Sequence, residues 1–193
     1  NIIIIFSRFV SGADGSNSIT FFMYAVVILN ALLTSVITNV STILLRKISL
    51  KEDKRLMIYS LLISVFLGAI MVLILYLFSS DIIKFVYFRG AFSLSDVQET
   101  SIYLYELSFG FLLLFIATIL FQPFLSLSIS KTKNERLKLA SSFLLVLLLS
   151  SSVVLFPSFI SREKALIVMY ASSFFAVLLS IYSYRKYLMY EDK

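Results

Sequence analysis

The chain has 193 residues, of which 60% are hydrophobic and only 15% charged, and its mean hydropathy is +0.97. Soluble domains keep about a quarter of their residues charged, so this composition excludes an ordinary water-soluble globule. With no Cys and no His, disulfides, thiol nucleophiles, His-based proton relays and the commonest metal ligands are excluded too, and a net charge of +6 in such a chain reports membrane orientation rather than nucleic-acid binding.

The apolar blocks are long enough to cross hydrocarbon, which takes about 20 residues per helix. Leu56 to Ser80 and Leu139 to Ser161 contain no charged residue. The expected fold is an all-α transmembrane bundle forming a single lobe over 1–193. It should have one incomplete span (Asn1–Val10) and five complete ones, roughly Ile19–Leu45, Leu56–Phe78, Thr100–Leu127, Leu137–Pro157 and Ala165–Tyr184. The chain opens on Asn1 within an apolar run, so its first helix is expected to be entered partway. A membrane barrel would instead show segments of about ten residues with alternating polarity.

Between these spans the loops alternate in charge. Arg46, Lys47, Lys51, Lys54 and Arg55 outnumber Glu52 and Asp53; Lys131, Lys133, Arg136 and Lys138 outnumber Glu135; and the tail carries Arg185, Lys186 and Lys193 against Glu191 and Asp192. The other set holds Asp14, then Asp81, Lys84, Arg89, Asp96 and Glu99, then Arg162, Glu163 and Lys164. The first set nets +7 and the second −1. The positive-inside rule places the +7 side, with both ends of a six-span unit, in the cytoplasm. On the acidic side, Asp81–Phe88 ("DIIKFVYF") mixes Asp81 and Lys84 with apolar residues. It is read as a short helix lying in the interface, against the simpler reading that the preceding span continues.

Polar residues inside the spans mark candidate sites. Asn30, Thr34, Thr38 and Ser41 follow one helical face, widened by Ser35, Asn39 and Thr42. Such a face must look at protein or water. It either lines a hydrated cavity or packs, with hydroxyls bonded across helices or back to their own turn. Asn30, Thr34, Thr38, Asn39 and Ser41 are the candidate substrate- or cavity-lining residues. Glu106 lies about two turns into the fourth span, and an intramembrane carboxylate is a functional candidate by default. Arg8, toward the same membrane face, is its candidate partner, the two forming a gate or charge pair. Gln122-Pro123 is a hinge or a fixed kink. Gly68 and Gly110 are expected to permit close helix approach, and the Ser150–Ser152 run is expected to pack. Neither a phosphate-binding glycine loop nor a carboxylate cluster occurs, so no catalytic role, cofactor or metal is expected. The 19 Phe and 11 Tyr are read as lipid-facing or interfacial rings.

"FRGAFSLSDVQET", residues 88–100, resembles the MurJ/MviN family of lipid II flippases, in the MOP superfamily. Members carry a Phe-x-Arg-Gly-Ala-Phe phrase followed by an Asp and a Thr, between the third and fourth helices of a six-helix lobe. Met23–Leu45 is similar to the family helix that begins Tyr-Ala and ends Thr-Ile-Leu-Leu, Ser108–Gly110 to its Ser-x-Gly step, and Phe124–Lys133 to its Phe-Tyr-Ala stretch. The resemblance implies the C-terminal lobe of a multi-pass bacterial inner-membrane flippase, whose N-terminal lobe lies outside this chain. The substrate would be a polyprenyl-pyrophosphate-linked saccharide such as lipid II, moved from inner to outer leaflet by alternating access. Arg89, Gly90, Ala91 and Phe92 form the family-motif loop. The implied partners are membrane lipid, the lipid-linked oligosaccharide and the missing lobe. Where the family often places a cavity-facing Asp-Arg pair, this chain has Val26 and Val27. The other readings are a diverged, non-transporting scaffold lobe that binds a partner, and a drug or cation antiporter of the same superfamily.

Overall fold

The computed structural model describes residues 2–12, 17–51, 54–126, 129–155 and 159–191. Within them the chain is helical: α1 (Ile2–Ser11), α2 (Ser18–Lys51), α3 (Lys54–Tyr87), α4 (Leu94–Ser126), α5 (Ile129–Ser151), a 3₁₀ turn (Ser152–Leu155) and α6 (Ser161–Glu191). Continuous apolar sequence is the cause. In hydrocarbon a backbone amide has no water to bond, so the chain satisfies its own N–H and C=O groups within each segment. Among the described residues four stretches are long and apolar enough to cross a membrane: Val65–Tyr87, Leu94–Phe124, Asn134–Leu155 and Ser161–Lys186. Ile2–Ser11 and Ser18–Leu32 are shorter apolar helices, although α2 continues as a helix to Lys51.

The expected interfacial helix at Asp81–Phe88 is corrected. α3 runs unbroken through it to Tyr87. Ile83 is fully buried, while Asp81 and Lys84 are exposed on the other side. One turn of ordinary helix therefore keeps both charges out of the packed face, and no break is needed. α4 passes through Pro123 to Ser126, close to the expected end of its span at Leu127.

The bundle is built around α4. It packs on α2, α3 and most extensively on α6; α1 lies on α6, and so does α5. Two glycines set the close approaches. A Cβ at Gly110 would lie 2.7 Å from Met169 Cγ and 3.3 Å from Tyr170 Cδ1, both on α6. A Cβ at Gly68 would run into Leu112 Cδ1, so α3 meets α4 there. Both match the packing role expected from sequence, since small residues let backbones approach in a medium where lipid competes for every apolar contact. The core holds Phe22, Leu29, Leu75, Ile83, Tyr103, Leu104, Leu107 and Met169, with Phe22 and Tyr103 edge to face at 6.1 Å. Ser150 belongs to packing as well: its hydroxyl bonds Ser172 at 3.2 Å, joining α5 to α6.

Glu99, in the second turn of α4, and Arg162, in the first turn of α6, stand level, 4.0 Å apart, so α4 and α6 begin at the same end of the bundle. This is the end with the net negative loops, here called the acidic end.

Candidate functional site

Three features gather toward the acidic end. The first is the turn between α3 and α4. The last turn of α3 closes with the Phe88 amide on the Lys84 carbonyl at 3.0 Å. Gly90 then takes φ +67° with nothing within 4 Å of a would-be Cβ, so glycine is there for its backbone and not for space. Phe92 folds back against Tyr24 of α2 (5.5 Å) and Tyr87 of α3 (5.8 Å), and those two rings lie 4.7 Å apart. The Tyr87 hydroxyl donates to the Tyr24 carbonyl at 3.3 Å. α4 then starts with a capping box: the Ser93 amide donates to Asp96 Oδ2 at 2.8 Å, and the Asp96 amide donates to Ser93 Oγ at 3.3 Å. The RGAF phrase is thus a left-handed turn, an aromatic anchor and a helix start, tying α2, α3 and α4 together at one level.

Over this turn lies an open cleft of about 510 Å³, with Asn17, Thr20, Tyr24, Tyr87, Arg89 and Asp96 among its lining. The volume is that of a small-molecule site. Arg89 is exposed and, among the described residues, makes no ion pair. The sequence reading identified Arg89 to Phe92 but missed Asn17, Thr20, Tyr24 and Tyr87. Loop counting alone puts Asn17 and Arg89 at the same membrane face, and that signal was available.

The second feature is a charged cluster between α4 and α6. Glu106 Oε2 lies 3.4 Å from Arg162 Nε, with the side chains 21% and 29% exposed. Both atoms are shut off from the surface, and neither makes a hydrogen bond within the chain. The Tyr170 hydroxyl donates to the Glu106 backbone carbonyl, a reach made available by the missing Cβ at Gly110. The expected Arg8–Glu106 pair is corrected: Arg8 is exposed, and the cation beside Glu106 is Arg162. Arg8 and Arg162 both stand near the acidic end, and α6 rather than α1 supplies the cation because α6 is the helix packed along α4. One turn nearer the acidic end, α2 also reaches α4, with Ser18 bonded to the Tyr103 hydroxyl.

The third feature is the polar side of α2. Asn30 is half-buried, while Ala31, Ser35 and Asn39 are exposed, as is Val27. Val27, Ala31, Ser35 and Asn39 recur every fourth residue and so form one outward stripe, opposite a packed side that includes Phe22, Val26 and Leu29. Ser35 Oγ donates to the Ala31 carbonyl at 2.7 Å, and Asn39 Nδ2 to the Ser35 carbonyl at 2.7 Å. These side chains bond back along their own helix, the pattern weighed from sequence. The side chains of Thr34, Thr38 and Ser41 lie outside the described residues. Val26 is buried in the core and Val27 faces outward.

Among the described residues no group of His, Cys, Asp and Glu is placed to hold a metal ion. Compared with the known protein families, with curated proteins and with solved structures, the chain matches none.

Proposed function

We propose that the chain is one lobe of a membrane transporter, a flippase that moves a polyprenyl-pyrophosphate-linked saccharide between leaflets by alternating access with a second lobe. The observation that carries this reading is the RGAF turn: its phrase resembles the MurJ/MviN motif, and it stands on the end of the bundle opposite the basic loops, where that resemblance expects it. Two features support it. The outward stripe of α2 exposes Ser35 and Asn39 beside Val27 and Ala31, a mixed surface on which a second lobe would pack. The cleft with Asn17, Thr20, Tyr24 and Arg89 offers hydrogen-bond donors, acceptors and one cation at the acidic end.

The test is depletion of the full-length protein in its host, followed by measurement of lipid-linked saccharide precursor in each leaflet. Accumulation in the inner leaflet is the expected result; an unchanged distribution between leaflets refutes transport.

One observation favours a second reading, a partner-binding lobe that flips nothing. Val27, at 53% exposure, presents an aliphatic side chain where the resemblance implies a charged residue for pyrophosphate. Under that reading, depletion leaves both leaflets unchanged and instead disperses a membrane complex detectable by native electrophoresis.

A further inference from the structure

α5 follows α4 in sequence, yet it packs on α6 and scarcely touches α4. The two helices stand apart over α6 as a floor. The gap is a cavity of about 320 Å³, walled by Leu114, Ala117 and Phe121 of α4 and by Leu139, Ala140 and Phe143 of α5. Such walls suit hydrocarbon. The cavity belongs to the weakly packed side of the bundle, where Leu144, Leu145, Leu148 and Leu149 of α5 are exposed and acyl chains abut the protein.

One charged residue lines the cavity among those described: Arg136, in the second turn of α5. Its guanidinium lies 5.8 Å from the centre of the Phe124 ring and donates to the Phe124 carbonyl at 3.4 Å. That carbonyl belongs to the last turn of α4, where the backbone favours a cation. The guanidinium is therefore held at the basic end of the cavity. Beside it, Glu135 has Lys138 Nζ at 3.9 Å and accepts from the Tyr182 hydroxyl at 3.4 Å. The result is an apolar slot with a guanidinium at the end near the start of α5. Basic pockets between transmembrane helices recognise anionic head groups in this way.

We propose that this cavity binds an anionic phospholipid from the leaflet at the basic end, with one acyl chain between α4 and α5 and the phosphate on Arg136. The site is independent of the transport reading, because it needs neither the second lobe nor a saccharide.

The experiment uses the full-length protein in vesicles of phosphatidylcholine and in vesicles containing phosphatidylglycerol, with retained lipid counted by native mass spectrometry after detergent extraction. Phosphatidylglycerol should be retained about fivefold over phosphatidylcholine, the effect of one cation near a lipid surface. Arg136→Gln should abolish that preference and Arg136→Lys should keep part of it. Lys138→Gln removes a neighbouring charge outside the cavity and should leave the preference intact. Ala140→Phe fills the slot and should remove the retained lipid of either kind. Excess inorganic phosphate should not displace it. The proposal fails if Arg136→Gln retains the preference, if Lys138→Gln loses it equally, or if Ala140→Phe retains its lipid.

Discussion

The apolar spans Leu94–Phe124, within α4, and Asn134–Leu155, which covers most of α5 and the turn after it, have nearly the same mean hydropathy, 2.1 and 2.0, yet 56% of the first and 17% of the second is buried inside the bundle. In water such a difference would follow from hydrophobicity. In a bilayer it does not, because lipid tails are as apolar as leucine and helices associate through close packing and polar contacts. α4 has the features that use this: Gly110 against α6, Ser101 and Ser108 on buried positions, and Glu106 beside Arg162. α5 offers a run of leucines, of which Leu139 and Leu147 are buried among those described. The contrast teaches that hydropathy finds the spans while small and polar residues decide which span occupies the centre.

The sharpest way to break the comparison is to give Gly110 a branched side chain. A Cβ there already meets the middle of the Met169 side chain at 2.7 Å, not a flexible tip, so α6 must move. Gly110→Val should destabilise the bundle by about 3 kcal/mol, the upper end for overpacking, read by denaturant titration in mixed micelles. Gly68→Ala should cost less, because the atom in its way is the end of the Leu112 side chain. Equal tolerance at the two positions would remove α4–α6 contact as the organising one.

Next in size is the Glu106–Arg162 pair. Its exposure lies between the buried and solvated cases, so Arg162→Gln should cost roughly 2 kcal/mol, between the ranges for the two. The double change Glu106→Gln with Arg162→Gln should recover part of that loss, since it removes the uncompensated carboxylate. Arg8→Gln should leave stability unchanged. If Arg8→Gln and Arg162→Gln have equal effects, the pairing seen here is wrong.

These residues also show what was legible beforehand. Four of the helical spans were readable because each apolar run is long enough to cross a membrane, and Gly68 and Gly110 were readable because glycine inside a transmembrane helix has few uses other than close approach. The partner of Glu106 was not. Loop charges place Arg8 and Arg162 near the same face, and only the neighbours of α4 decide between them. The fate of Asp81 and Lys84 was misread for a related reason. Two charges in an apolar stretch suggested an interfacial segment, but on a helix they share the exposed side while Ile83 turns inward. The cleft residues Asn17, Thr20 and Tyr24 stayed hidden because their meeting with Arg89 depends on how α2 leans on α3.

A smaller effect is expected at Gly90. With φ at +67° and no neighbour within 4 Å, Gly90→Ala meets a backbone penalty alone, about 1 kcal/mol. Gly90→Asn should cost less, since Asn visits the left-handed region more readily. A larger loss for Gly90→Ala, with the α3–α4 contact disturbed, would show that the turn is packed against something beyond this chain.

The smallest effect should come from the lipid-facing side of α5. Leu148 is 63% exposed, and in a bilayer its side chain exchanges one apolar neighbour for another. Leu148→Ala should therefore change stability by less than about 0.5 kcal/mol, although the same truncation of a core leucine in a soluble protein costs several times more. The measurement is thermal unfolding of the full-length protein in lipid nanodiscs. Near-neutrality at Leu148 beside a large loss at Gly110 is what a bundle sorted by packing requires. A substantial loss at Leu148 would instead mean that this face of α5 is covered by another helix, and the contrast with α4 would then hold for this chain alone and not in its membrane setting.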